Sequence, residues 1–118
     1  MNDEQLRLCK ELAKKIIILC RNMKNDNVEF VLINQLLRCG TSVGANIQEA
    51  QYAQGLRDFI SKLEIALKEC NETDYWIELL CSTDCIDKSV YESLHSDIIE
   101  LRRMLVSAVK SSKSKLQM

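Results

Sequence analysis

A stripe of polar side chains interrupts an apolar segment near the middle of the chain. Arg38, Ser42, Asn46 and Glu49 follow one another at steps of four, four and three residues, so they share one face if the segment is helical. A cation, a hydroxyl, an amide and a carboxylate at that spacing can hydrogen-bond to one another or to a ligand. Beside them runs an apolar stripe, which predicts that this helix packs against a core and which comprises Leu36, Cys39, Val43, Ile47 and Ala50.

The polar stripe has two interpretations. As a binding site, Arg38 and Asn46 would present hydrogen-bond donors to a ligand or a phosphate. As an internal network, Arg38 would pair with Glu49 or with Glu72, which lies on the core side of a predicted third helix, and Asn46 would bridge helices. We favour the internal network because two carboxylates are available to one arginine. If Arg38 is buried and paired in this way, its replacement by alanine should cost roughly 3–5 kcal/mol of stability.

No combination of residues in the sequence resembles a catalytic, metal or cofactor site. The chain has a single histidine, His95, whereas a di-iron bundle site takes one histidine from each of two helices. Cys81 and Cys85 have no second cysteine pair at zinc-site spacing. The sequence contains neither a Gly-x-Ser-x-Gly nucleophile elbow nor a glycine-rich phosphate loop. We therefore predict no catalytic residue, no metal and no cofactor, and we favour a non-enzymatic function.

Basic residues are concentrated towards the two ends of the chain, although the net charge is only −1. One group lies on a predicted first helix and the other on a predicted fourth helix, and the two groups can merge if these helices are neighbours. RNA binding needs such a surface for contact with phosphates. The alternative is that these charges only keep the helices solvated. The candidate RNA-binding residues are Lys10, Lys14, Lys15, Arg21, Arg102 and Arg103.

Helical periodicity runs through the whole chain and would position these residues. Apolar side chains recur at steps of three and four over four segments, and the links between the segments are short and polar. The chain has no proline and only three glycines, so it favours long helices. We predict one domain, 1–118, with an all-α fold: an antiparallel up-down-up-down four-helix bundle. The predicted helices span about 3–23, 28–53, 56–81 and 88–111, and a basic tail, 112–118, is expected to fray.

Glycines inside the second predicted helix indicate close packing. Gly40 and Gly44 should each cost roughly 1 kcal/mol relative to alanine, and a helix that tolerates them usually gains close approach of another backbone. That neighbour can belong to the same bundle or to another subunit. Gly55 is expected to end the second helix, since glycine is the residue that most often terminates helices.

The cysteines favour a reducing compartment. Cys9, Cys20, Cys39 and Cys70 fall on apolar helical stripes, where free cysteine behaves as a small hydrophobic residue. We find no secretory signal, and the apolar run at residues 16–20 is far too short to span a bilayer. We therefore expect a cytoplasmic protein with reduced thiols and no membrane partner.

Two stretches of the chain carry a resemblance to a known family. The first holds Arg38, the run Thr41-Ser42-Val43-Gly44-Ala45-Asn46-Ile47, and Glu49. The second holds Arg57-Asp58-Phe59, Leu63, Ile65-Ala66-Leu67-Lys68-Glu69, Asn71-Glu72-Thr73 and Tyr75-Trp76-Ile77-Glu78-Leu79-Leu80. Over these segments the chain resembles the bacterial four-helix-bundle family of 23S ribosomal RNA intervening-sequence proteins. That family is in turn similar to the accessory variability determinant of diversity-generating retroelements.

The resemblance implies an antiparallel four-helix bundle that assembles into a ring-shaped homopentamer. It implies no known enzymatic activity, and a role in binding RNA or nucleoprotein has been suggested for the family. We therefore expect a non-enzymatic oligomeric protein that acts as an RNA or ribonucleoprotein accessory. Because the chain is mildly acidic, with a pI near 5.9, the alternative is a protein-interaction scaffold that binds no nucleic acid.

Overall fold

Four amphipathic helices make up the structure, and each buries its apolar stripe against its neighbours. The computed structural model describes residues 2–118 and contains α1 (Asp3–Asn25), α2 (Phe30–Ala50), α3 (Leu56–Ser82) and α4 (Lys88–Leu116). Each helix packs against the one that precedes or follows it in the chain, and α1 also packs against α4. This arrangement confirms the predicted antiparallel four-helix bundle.

The core runs along the bundle axis and is built from the predicted apolar stripes. All five residues of the stripe beside Arg38, from Leu36 to Ala50, are buried. The centre of the core is almost entirely aliphatic, because α3 and α4 contribute Leu63, Ile77, Ile98 and Leu101 at 0% exposure. Within residues 2–118, no helix is long and apolar enough to cross a membrane.

Two of the three links use the same helix-ending geometry without glycine. Asn27 after α1 and Asp84 after α3 both adopt a left-handed backbone, with φ of 60° and 63°. In each case the following residue returns its N–H to a carbonyl five residues back, from Val28 to Met23 at 3.0 Å and from Cys85 to Leu80 at 2.8 Å. These bonds satisfy carbonyls that the helix end leaves without partners. Asparagine and aspartate tolerate this conformation better than other side chains do.

The ends of α2 differ from the prediction at both sides. The helix begins at Phe30 rather than at residue 28, because the N–H of Val28 is used to close the end of α1. It ends at Ala50 rather than at residue 53, and Gln51 forms the C-cap. Gly55 does not terminate α2, since it occupies the N-cap of α3 with an extended backbone, φ −177°.

The basic tail is helical and not frayed. α4 continues through Leu116, so the predicted end at residue 111 is wrong. Ser112 is buried at 7% exposure, and the Nζ of Lys113 lies 3.1 Å from the Glu64 carboxylate on α3. α3 is long enough to lie alongside the last turns of α4, so these turns have a helix to pack against and do not fray.

Candidate functional site

Arg38 lies at the boundary between α2 and α3 and binds acidic residues of α3. Its guanidinium donates to the carboxylate of Glu72 and, at 3.3 Å, to that of Glu69, and also contacts the Gln35 amide oxygen at 3.4 Å. The indole N–H of Trp76 donates to the same Glu72 carboxylate at 3.0 Å. The Arg38 side chain remains 50% exposed. Of the two partners considered for Arg38, Glu49 and Glu72, the structure pairs it with Glu72. Arg38 is not buried, so the condition for a loss of roughly 3–5 kcal/mol is not met.

The remaining polar residues of the stripe do not join this cluster. The Asn46 amide donates to the Ser42 carbonyl oxygen of its own helix at 2.9 Å, so no hydrogen bond of Asn46 bridges helices. The Glu49 carboxylate lies 3.7 Å from the Nζ of Lys62 on α3 and does not contact Arg38. The stripe thus divides into two separate links from α2 to α3, since residues 38 and 49 lie three helical turns apart.

A second polar cluster, which the sequence did not indicate, lies between α3 and α4. The Nδ1 of His95 is 2.7 Å from the Asp74 carboxylate, and its ring stacks on Tyr91 with centroids 5.3 Å apart. Arg102 donates to the Asn71 amide oxygen at 2.9 Å and lies 3.8 Å from Asp74. Asp74 and His95 are 21 residues apart, so only the register between α3 and α4 brings them together.

The six candidate RNA-binding residues do not form one surface. Lys15 on α1 is paired with Asp97 of α4 at 2.7 Å, and Arg102 points at α3. Lys10 and Arg21 line depressions between α1 and α2 instead. Arg103 lines one depression on α4 and another between α4 and Gln5 of α1. α1 and α4 are neighbours, as a merging of the two basic groups requires, but Lys15 is neutralised by Asp97 and Arg102 lies against α3. Lys14 pairs with Glu11 of its own helix, at 3.4 Å.

Arg21, which faces α2, lies near two further residues that the sequence did not single out. Lys24 and Phe30 line the same depression as Arg21. Phe30 is the first residue of α2, and its side chain is 64% exposed. A single exposed aromatic residue carries no periodic signal, so sequence reasoning had no means of finding it.

Burial makes most of the thiols poor nucleophiles. All six cysteines are free, and Cys9, Cys20, Cys39 and Cys70 are buried. Desolvation raises the pKa of Cys9, Cys20 and Cys70 to about 11, because a thiolate is disfavoured in an apolar surrounding. Within the described chain, residues 2–118, no group of three or more His, Cys, Asp or Glu side chains is placed to hold a metal ion.

Comparison with known proteins points to one family. The family model for the 23S rRNA-intervening sequence protein matches residues 3–107. A solved crystal structure from Bacteroides thetaiotaomicron, described as a protein of unknown function from the S23 ribosomal protein family, is 47% identical in sequence. Its TM-score is 0.87, and the match covers 90% of this chain and 98% of that chain. No curated protein matches this chain significantly.

Proposed function

The chain belongs to the family of 23S rRNA-intervening sequence proteins, and from that premise we propose that it is a non-enzymatic accessory protein that binds RNA or ribonucleoprotein. The observation that carries the proposal is a row of cations on α1 beside α2, Lys10, Arg21 and Lys24. The ion pairs of α1 within residues 2–118 use Arg7, Lys14 and Lys15 instead. Lys10, Arg21 and Lys24 are therefore available to contact the phosphate groups of RNA.

The proposal includes self-assembly, with the homopentamer as the expected state. The isolated chain exposes large apolar side chains on several helices, among them Ile18, Val31, Ile65 and Tyr75. Exposed apolar area of this kind is typical of surfaces that contact another protein. A ring of five copies would also multiply the few cations of each chain, which compensates for a net charge near zero. We place the protein in the cytoplasm, where its free thiols stay reduced.

Low-salt binding tests the RNA proposal. Nuclease-treated, purified protein is titrated into labelled RNA at several salt concentrations, because phosphate contacts make affinity fall steeply with salt. Charge reversal of Lys10, Lys14, Arg21 and Arg103 should weaken binding and flatten the salt dependence. The bound RNA should be recovered intact, as a non-enzymatic protein requires. Absence of binding at low salt, or an affinity and salt slope unchanged by the charge reversal, would refute the proposal.

A protein-interaction scaffold is the second candidate, and the outer face of α3 favours it. Ile65 and Tyr75 are exposed there, and the exposed carboxylate of Glu78 lies three residues after Tyr75 on the same helix. Apolar side chains flanked by acidic ones suit a partner helix with basic flanks. Recovery of one stoichiometric protein partner from a nuclease-treated preparation, without nucleic acid, would favour the scaffold over the RNA accessory.

A further inference from the structure

A groove follows the boundary between α1 and α2 on the outer surface of the bundle. It consists of two depressions, of about 410 and 350 Å³. Thr41 lines both of them, so the two depressions adjoin at this residue. Gly44 also lines the second depression and adds no side chain to it.

Cations lie at both ends of this groove. Lys10 borders one depression, and Arg21 with Lys24 borders the other. Fourteen residues separate Lys10 from Lys24 on α1, which corresponds to about 21 Å along the helix axis. The groove therefore presents positive charge along a length that suits an extended polyanion rather than a single small anion.

Phe30 gives the groove a second property. Its ring is exposed at the end where Arg21 and Lys24 lie. The polar side chain of Asn34, one turn further along α2, lines the same depression. A positively charged groove combined with an exposed aromatic ring is the arrangement on which single-stranded nucleic acids bind, with phosphates on the cations and a base on the ring.

We propose that the groove between α1 and α2 binds single-stranded RNA, with the backbone on Lys10, Arg21 and Lys24 and one base stacked on Phe30. This inference rests on the proposed RNA-accessory function and specifies the form of RNA and the surface that holds it. A duplex fits the groove less well, because its bases are stacked on one another and are not available to an aromatic side chain.

A comparison of charge-matched variants tests the groove. The affinity for a labelled, unstructured 12-nucleotide RNA is measured by fluorescence anisotropy over a range of salt. The groove variant carries K10Q, R21Q and K24Q, and its control carries K110Q, K113Q and K115Q on α4. The groove variant should bind at least tenfold more weakly at low salt, with a slope of log affinity against log salt about 2 smaller, since each single-strand phosphate contact contributes about 0.7. The control should change affinity by less than about threefold at about 0.1 M salt, where the Debye length is about 10 Å and more distant charges are largely screened.

The aromatic contact has its own test. Phe30→Leu should weaken single-strand binding at least about fivefold, the lower end of what a base–aromatic stack provides, and should leave the salt slope unchanged. Tyr52→Leu, which removes an exposed ring from the link between α2 and α3, is the matched control and should have no effect. The same RNA annealed to its complement should bind more weakly than the single strand.

The outcomes separate the groove from the function on which it rests. RNA binding that the α4 control weakens as much as the groove variant, or that survives Phe30→Leu unchanged, overturns the groove and leaves the RNA function standing. Failure of every RNA to bind at low salt overturns both. Circular dichroism establishes that each variant is folded, and a change of oligomeric mass in the groove variants would assign the groove to subunit contact and overturn the inference.

Discussion

The Arg38 cluster shows how exposure decides what an ion pair contributes. Its guanidinium contacts two carboxylates and one amide of the same protein, yet half of its side chain is in contact with solvent. Water screens the attraction and solvates the charges when the pair opens. Glu69 is more enclosed, at 15% exposure of its side chain, so its charge depends most on neutralisation by Arg38.

We expect Arg38→Ala to lower the free energy of unfolding by about 1 kcal/mol, the upper part of the range for exposed ion pairs. Urea titration measures the change, and Arg38→Lys, which keeps the charge but not the forked geometry, should lose less. A loss of roughly 3 kcal/mol or more would be typical of a broken buried pair and would contradict the observed exposure.

The buried thiols make stability depend on alkaline pH. Burial raises the pKa of Cys9, Cys20 and Cys70 to about 11 from an ordinary value of 9.0. Between these values the unfolded chain loses thiol protons that the folded chain retains. Stability is therefore fully present below pH 9 and falls as pH rises from about 9 to 11.

Urea titrations at pH 8, 9 and 10 measure this decline in the free energy of unfolding. Cys70→Ala is the informative variant, since it removes one of the three thiols. It should be less stable at pH 8 because of the cavity that it leaves, and its stability should fall less between pH 9 and 10. Parallel pH curves for the two proteins would rule out the thiol contribution.

At the scale of the helices, α1 and α2 approach closely where glycine removes a side chain. An ideal Cβ on Gly40 would lie 2.8 Å from Cγ2 and 3.1 Å from Cγ1 of Ile16. Ile16 is fully buried, and its branch at Cβ leaves it little freedom to move. At Gly44 the nearest atoms would be the Cβ and carbonyl oxygen of Cys9, both at 3.8 Å, which is ordinary contact. Of the two glycines, Gly40 is therefore the one that close packing within the bundle requires.

Alanine substitutions at these two glycines should have opposite effects. Gly44→Ala should stabilise the protein by about 0.5–1 kcal/mol, since alanine is the better helix former. Gly40→Ala gains the same propensity but overpacks the core at Ile16, which typically costs about 1–3 kcal/mol, so a net loss of about 1 kcal/mol is expected. Thermal unfolding of the pair provides the comparison, and stabilisation by both substitutions would contradict the close contact with Ile16.

At the scale of the whole molecule, a single chain leaves several large apolar side chains exposed to solvent. Ile18, Val31, Ile65 and Tyr75 are all at least 39% exposed. They lie on three different helices, so they do not gather into one patch within the chain. A ring, in which each copy uses two different surfaces, covers such dispersed residues better than a two-fold dimer does.

We expect light scattering to give a mass of five 13.6 kDa chains after nuclease treatment at high salt. High salt weakens electrostatic contacts and leaves apolar ones in place, so a ring held by apolar contacts should persist. Ile65→Glu on the exposed face of α3 should reduce the mass if that face is a subunit contact, whereas Lys88→Glu at the start of α4 serves as a charged control. A monomeric mass for the unmodified protein would contradict the assembly.

The sequence by itself determined the number of helices, their antiparallel order and the residues of the core. These follow from short-range periodicity, because the side chains at steps of three and four are fixed on one face by the helix itself. The same periodicity placed Glu72 on the core side of α3, which made it one of two candidate partners for Arg38. It could not predict that Val28 would close α1, or that α4 would extend to Leu116, since both depend on contacts made outside each helix.

Only the tertiary structure decided which polar residues meet. The pairing of Lys15 with Asp97, the contact of His95 with Asp74, and the separation of Glu49 from Arg38 all depend on the axial register and rotation of one helix against another. The groove that joins Lys10, Arg21 and Phe30 arises in the same way, from residues of two helices. Register and rotation are set by how the side chains of all four helices interlock in the core, and no local pattern along the chain encodes that fit.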